Sequence, residues 1–466
     1  MADAPARRRR DGPRTDDAPR KPGLPARRAA ARLLGAVIDK RTSLDGLTDD
    51  AHGHPDYLAL SSRDRALVRA ILLTALRHRS RLEGAIAHRL DRPLPDGARS
   101  LSHHLHVGAA QVLLLDVPSH SAIDLAVEAV RADPRAKRFA GLANAVLRRL
   151  AREGRNARRW VEAEPSRPPE WLEAALAEAY GAERTEAILA AHATLPALDV
   201  TVKGDPADWA GRLNATVLPT GTLRTVAGDG AVTALPGFEA GEWWVQDAAA
   251  AMPARLMGDI AGRRVLDLCA APGGKTAQLA AMGADVTAVE INANRARRLG
   301  ENLARLHLTA RIVEGDALKL GADDLGGPFD AVLLDAPCSS TGTMRRHPDV
   351  AWTKTPDDVA KLAGLQSRLL ARAADLVASG GRLVFANCSI LPAEGEAVSR
   401  AFLDARPDFR LDPIDPAKLG DPAATSPMVA PEGWLRTTPD MLPHEEPRLA
   451  GLDGFHAARF IREGTG

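Results

Sequence analysis

The chemistry in this 466-residue chain starts with its thiols, Cys269, Cys338 and Cys388. Cys338 lies in Asp335-Ala336-Pro337-Cys338-Ser339-Ser340-Thr341-Gly342, and Cys388 in Asn387-Cys388-Ser389. Each follows a short apolar run that reads as a buried strand, Ala331 to Leu334 and Arg382 to Ala386. Either cysteine alone is accounted for by burial as a small hydrophobe. Two at equivalent strand ends, each flanked by small or hydroxyl residues, point to chemistry. Where two such strands are neighbours they lie about 4.8 Å apart, and both thiols can then face one cleft, where one need attack and the other is free for proton removal or release. An odd number of cysteines without metal-type spacing excludes a disulfide framework and a zinc site, and fits reduced thiols in a cytoplasm.

The elements that must position these thiols form a regular alternation of strand and helix. Val265 to Thr276 reads Val-Leu-Asp-Leu-Cys-Ala-Ala-Pro-Gly-Gly-Lys-Thr, a buried strand, a glycine turn and the start of a helix. Such a corner lets backbone approach a ligand and turns helical N–H groups toward an anionic end. It is neither a P-loop nor the dinucleotide Gly-x-Gly-x-x-Gly. A second strand runs from Asp285 to Glu290, a third starts at Arg311 to Val313 ahead of Gly315 and Asp316, and the two cysteine-bearing strands follow. Alternating β and α units predict a parallel sheet with helices on both faces, which binds ligands at its carboxyl edge.

Asp267, Glu290, Asp316 and Asp335 stand at or just beyond that edge. Glu290 is placed to accept from ribose hydroxyls and Asp316 from an exocyclic adenine amine. Nothing in the stretch anchors a pyrophosphate. The ligand that fits is a nucleoside with a short zwitterionic tail, S-adenosyl-L-methionine. The cofactor-binding set is therefore Cys269, Ala270, Ala271, Pro272, Gly273, Gly274, Lys275, Glu290, Asp316 and Asp335, with Cys269 contributing packing and backbone contact only.

The rest of the chain divides by composition. Lys and Arg number 61 against 60 Asp and Glu, so no global basic excess announces nucleic acid. No stretch approaches the roughly 18 apolar residues of a membrane span, and no hydrophobic segment follows the N-terminal charges, which excludes a membrane-spanning or secreted protein. Residues 1–25 are rich in Pro and Arg and are expected to be a disordered basic tail. Residues 26–155 carry helical periodicity: Ala30, Leu33, Leu34 and Val37 in one stripe, Leu67, Ile71, Leu72 and Ala75 in another, Val107, Ala110, Gln111 and Leu114 in a third. Residues 165–240 read as a small linking subdomain, with a helix from about Glu170 to Ala191 and an extended stretch near Leu198 to Lys203. Residues 241–466 hold the α/β domain, entered through Val245-Gln246-Asp247.

Several motifs together resemble the Nol/Nop/Sun family of RNA cytosine-5 methyltransferases. They are Cys269-Ala-Ala-Pro-Gly-Gly-Lys275, Asp335-Ala-Pro-Cys-Ser339, Arg345-Arg-His-Pro-Asp349 and Asn387-Cys-Ser-Ile-Leu-Pro392. In the helical region, Leu60-Ser-Ser-Arg-Asp-Arg-Ala66, Leu76-Arg-His-Arg79 and Gly141-Leu-Ala-Asn-Ala-Val-Leu-Arg-Arg149 resemble the NusB-like N-terminal domain of the family's bacterial 16S rRNA branch. Arg63, Arg77 and Arg148 in those stretches read equally well as helix caps and surface ion pairs or as RNA contacts. Two positions depart from the family pattern. Thr201-Val202-Lys203 replaces an Arg-Val-Asn segment, which sets aside any RNA contact carried over to it, and Asn387 replaces a Thr.

The resemblance implies an all-α NusB-like domain, a linking subdomain and a Rossmann-like class I methyltransferase domain. It implies transfer of a methyl group to carbon 5 of a cytosine in 16S rRNA through a covalent adduct. Cys388 is then the nucleophile, Cys338 assists proton removal and release, and Asp335 hydrogen-bonds the base edge. Lys275 can lower a neighbouring thiol's pKa. The implied partners are S-adenosylmethionine and RNA, with no metal and no membrane, in a cytoplasmic monomer. Two other readings stay open: a family member acting on tRNA or another RNA, and a non-catalytic NusB-like assembly factor.

Overall fold

The computed structural model describes residues 21–225 and 232–464. It divides into two compact units, one comprising the chain to Asp39, Leu44–Ala75 and Leu82–Ala163, the other Lys40–Ser43, Leu76–Arg81 and the chain from Glu164. Within the described residues no helix is long and apolar enough to cross a membrane.

The first unit is helical. Its longer helices are Leu24–Lys40, Ser62–Arg77, Arg99–Leu113, Ser119–Arg131 and Ala140–Glu153. The basic stretch at residues 1–20 lies outside the described residues, and Leu24 and Pro25 already belong to the first helix, Pro in the first turn where its missing N–H is harmless. Ala30, Leu33, Leu34 and Val37 are fully buried. In the second stripe the buried set is Val68, Ile71, Leu72 and Ala75, a complete i, i+3, i+4, i+7 face, and Leu67 is shifted to its flank. Leu113 is likewise buried in place of Leu114. Gln111, polar on an apolar stripe, is satisfied there by Arg27 Nε at 2.8 Å and by the Val107 carbonyl at 2.8 Å.

The second unit begins with two helices where one was expected. Gly181, at φ 77°, ends Glu170–Tyr180 and caps Ala182–His192. Strands β1 (Leu198–Val202), β2 (Thr216–Val217), β3 (Leu223–Thr225) and β4 (Trp243–Val245) follow. They form an antiparallel sheet in the order β2-β3-β1-β4 over Val200, Leu223 and Trp243. Residues 226–231, the end of the Gly/Thr-rich stretch, lie outside the described residues.

The larger sheet contains β5 (Arg264–Leu268), β6 (Asp285–Glu290), β7 (Arg311–Glu314), β8 (Phe329–Asp335), β9 (Val377–Asn387), β10 (Phe409–Leu411), β11 (Leu435–Thr437) and β12 (Phe455–Arg462). Its order is β10-β12-β9-β8-β5-β6-β7, with β11 also paired to β12. From β9 to β7 the pairing is parallel, but β12 runs antiparallel to β9, with His456 opposite Asn387 and Ile461 opposite Arg382. The sheet is mixed, not parallel throughout. The physical reason is β12 itself, whose buried Phe455, Ala457, Ala458 and Phe460 cover a strand edge that the alternating units leave open. Alternate residues of the parallel strands enter two cores: Leu266, Val332, Leu334, Leu383 and Phe385 on one face, Val265, Leu333, Val384 and Ala386 on the other.

Candidate active site

The cofactor side of the carboxyl edge is built from backbone contacts to Glu290 and Asp316 and from one side-chain pair, Lys275 with Asp335. After β5 the chain turns through Cys269 at φ 62° and Gly273 at φ 101°, and the helix Gly274–Ala281 starts directly behind. Gly273 has to be glycine, since its left-handed φ strains any L side chain and a Cβ would stand 3.1 Å from Leu299 Cγ. Glu290, at the end of β6, is 2% exposed. Its carboxyl accepts from the backbone N–H of Asn292 (3.0 Å) and of Ala271 (3.3 Å), which ties the strand end to the glycine turn. Asp316 accepts from Leu318 N–H (3.0 Å) just past β7. Asp335, at the end of β8, pairs with Lys275 Nζ at 2.7 Å, and that ammonium also lies 5.0 Å from the centre of the Phe455 ring.

Next to this region the ends of β8 and β9 bring the two thiols together. Cys338 Sγ and Cys388 Sγ are 3.4 Å apart. The hydrogen bond from Cys338 holds the Cys388 thiol below its ordinary value, helped by Ser340 and, least, by Lys275, against burial and Asp335. The same bond, then burial, raises Cys338 well above its own. The pair thus draws its shared proton toward Cys338 and away from Cys388. Cys269 differs: burial first, then the surrounding carboxylates, push it up to about 12, so it is inert as a nucleophile.

A single cavity of about 360 Å³ joins these parts. Glu290, Asp316, Asp335, Cys338 and Cys388 all line it, as do Cys269 and Ala271. Ala270, Pro272, Gly273, Gly274 and Lys275 do not line it; they shape the turn behind it. Asp267 is withdrawn from the edge. It is fully buried, accepts from Thr276 Oγ1 at 2.6 Å, and burial raises its carboxyl to about 7. Arg346, of the Arg345 to Asp349 motif, pairs with Asp247 (2.6 Å) and Asp453 (3.1 Å) in a buried ion network outside the cavity lining.

Some of the cavity's wall escaped the sequence reading. Ile291 is 66% exposed beside Glu290 and, with Ala317 and Leu318, gives the cavity an apolar flank next to its acids. A large apolar residue immediately after a strand-end acid was the available signal. Among the described residues, no group of three or more His, Cys, Asp or Glu side chains could hold a metal ion.

This arrangement suits S-adenosylmethionine. A nearly fully buried carboxyl at a cavity surface with an exposed apolar neighbour suits ribose hydroxyls beside an adenine face, and Cys269 and Ala271 bring the turn to the same cavity. Fold and site together define a class I S-adenosylmethionine-dependent methyltransferase.

Comparison with known proteins narrows the class. Residues 257–461 match the family model described as 16S rRNA methyltransferase RsmB/F, and residues 24–152 match the NusB family. Ribosomal RNA small subunit methyltransferase B of Xylella fastidiosa is 38% identical over 95% of this chain and 99% of its own length. Its namesake from Xanthomonas campestris is 38% identical over 84% and 90%. A crystal structure of the protein PH0851 shares the fold, with a TM-score of 0.67 at 23% identity over 94% of this chain and 98% of that one. The chain belongs to the ribosomal RNA small subunit methyltransferase B family, and it is an enzyme that uses S-adenosylmethionine.

Proposed function

We propose that this enzyme methylates carbon 5 of one cytosine in 16S rRNA through a covalent adduct with Cys388. The observation that carries the proposal is the thiol pair, 3.4 Å apart in the cavity that also holds the cofactor acids. Carbon 5 of cytosine is a poor nucleophile until a thiolate adds to carbon 6 and makes the ring enamine-like. Cys388, with its lowered pKa, supplies that thiolate. Bound at Glu290, Asp316 and the glycine turn, S-adenosylmethionine supplies an electrophilic methyl group. Cys338 gives its own proton to ring nitrogen 3 as Cys388 adds, and the thiolate so formed then takes the carbon 5 proton while the Cys388–carbon 6 bond breaks. Nitrogen 3 returns its proton to the expelled Cys388 as the methylated base leaves. Asp335, oriented by Lys275, hydrogen-bonds the base edge. The target base leaves its stack to enter the cavity. The reading includes a monomer that works without a metal in the cytoplasm, where both thiols stay reduced.

The test is bisulfite sequencing of 16S rRNA from a strain lacking the gene, complemented with the wild type or with Cys388→Ser. One cytosine should lose its protection in the deletion strain and regain it only with the wild type. Loss of protection in tRNA, or none anywhere, sinks the assignment.

A further inference from the structure

Behind the thiols lies a buried acid that none of the steps above uses. Glu394, in the turn Pro392–Glu394, has no solvent exposure. Its Oε1 accepts from the backbone N–H of Ser339 (2.8 Å) and from Gln366 Nε2 (3.2 Å), and its Oε2 accepts from the Ser339 hydroxyl (2.5 Å). That hydroxyl stands 3.1 Å from Thr341 Oγ1 and 3.2 Å from Ser389 Oγ, which are 3.0 Å from each other. Two of the three hydroxyls come from the Cys338 loop and the third from the Cys388 loop. The Glu394 carbonyl also accepts from Asn387 Nδ2 at 2.7 Å, and Gln366 Nε2 donates to the Pro337 carbonyl at 2.9 Å. The residues immediately before and after both cysteines are therefore tied to Glu394. Its carboxyl holds Ser339 directly, Pro337 through Gln366 and Ser389 through the Ser339 hydroxyl, and its backbone carbonyl holds Asn387.

The carboxyl has a specific task there. It gathers three donors, two from Ser339 and one from Gln366, onto two oxygens beside the hydroxyl cluster that bridges both loops. Without it the Ser339 N–H loses its acceptor, and the Ser339 hydroxyl is held only by Thr341 and Ser389. Backbone bonds from Ala336 N–H to the Ala386 carbonyl (2.8 Å) and from Gly342 N–H to the Cys388 carbonyl (2.9 Å) align the strand ends. They leave the conformation of the residues flanking each thiol to side chains.

We propose that Glu394 is a positioning residue that sets the spacing of Cys338 and Cys388. Its effect on turnover rests on the two-thiol reaction proposed above; its effect on geometry does not. The test uses dibromobimane, a two-armed alkylating reagent, on the full-length protein, with the bridged product located by peptide mapping. The wild type should bridge Cys338 to Cys388. Glu394→Ala should lower the bridged yield and kcat at least tenfold while leaving KM for RNA and S-adenosylmethionine affinity within twofold. Glu394→Gln should stay within threefold of the wild type in both, because the amide oxygen still accepts from Ser339 N–H and the hydroxyls can reverse their donor roles. If Glu394→Ala fails to fold, Ser339→Ala decides, with an expected threefold or greater loss of bridging. Bridging within twofold of the wild type in Glu394→Ala, or in Ser339→Ala where the former does not fold, overturns the proposal. Bridging lost with kcat retained supports the positioning role and overturns the two-thiol reaction beneath it.

Discussion

The carboxyl edge of the large sheet is built in two ways on its two sides. On the cofactor side, Glu290 and Asp316 are held by backbone N–H groups of the chain that follows within two residues, with Ala271 the one longer reach. On the thiol side, the flanks of Cys338 and Cys388 are held by Glu394, Gln366 and Arg436, which donates to the Ser389 carbonyl at 2.5 Å. The Gln366–Pro337, Arg436–Ser389 and Glu394–Ser339 contacts span 29, 47 and 55 residues, while Glu394 meets Asn387 only 7 residues away. A binding surface tolerates being assembled locally, since each hydrogen bond contributes independently. Two reacting groups must hold one mutual distance, and only contacts between the two loops can fix it.

The contrast predicts that damage on the two sides has different kinds of consequence. The largest effect belongs to the thiols. Cys388→Ser cannot add to carbon 6, so an RNA fragment containing the target should show neither methylated product nor covalent complex. Cys338→Ser or Cys338→Ala can still add and methylate, and should stall as a protein–RNA species that survives denaturing electrophoresis. The opposite pattern would invert the two roles, and wild-type methylation in both variants would remove the two-thiol mechanism.

On the cofactor side the expected loss is graded. If Glu290 holds the ribose as expected, Glu290→Ala removes one or two charge-assisted bonds, each roughly 1.5–3 kcal/mol, so S-adenosylmethionine should bind at least about tenfold more weakly with the fold intact. Calorimetry reads this directly. Unchanged affinity would show that Glu290 serves only to tie β6 to the glycine turn.

The same contrast explains what the sequence made visible. Strand β6 was legible to the residue, and the ends of β5, β7, β8 and β9 nearly so, because each is an apolar run closed by an acid or by Gly and small residues. β12 was not, since its small Ala457 and Ala458 and its charged Arg459 hide a buried strand that only pairing with β9 reveals. Asp267 looked equivalent to the other acids, yet it sits inside β5 and points into the protein, where it meets Thr276. Glu394 gave no signal at all, because nothing local marks it as the meeting point of two distant loops. Asn387 gave a partial one. It departs from the threonine of the family pattern, and its amide bridges two groups, accepting from Ser389 N–H (2.9 Å) and donating to the Glu394 carbonyl (2.7 Å).

The smallest predicted effect separates the two thiols by pH. An isolated thiol here has an ordinary value of about 9, and Cys388 is held below it chiefly by the hydrogen bond from Cys338. A lowered value means that the thiolate survives to lower pH. Removing the donor in Cys338→Ala raises the Cys388 midpoint, so at pH 7 a smaller fraction of Cys388 is ionised in the variant. Alkylation by iodoacetamide should therefore be slower at pH 7 in Cys338→Ala, and the order should reverse once the pH exceeds both midpoints, where both thiols are ionised and the more basic one reacts faster. Each unit of displacement changes the thiolate fraction tenfold, but a more basic thiolate is the better nucleophile, so the net change is about threefold per unit. The measurement is the rate of single alkylation at Cys388, followed by mass spectrometry between pH 6 and 10. Superimposed profiles would show that Cys338 gives Cys388 no hydrogen bond in solution. A faster variant at pH 7 would show that the proton sits on Cys388 and that the bond runs the other way, which would make Cys338 the thiolate and the attacking group.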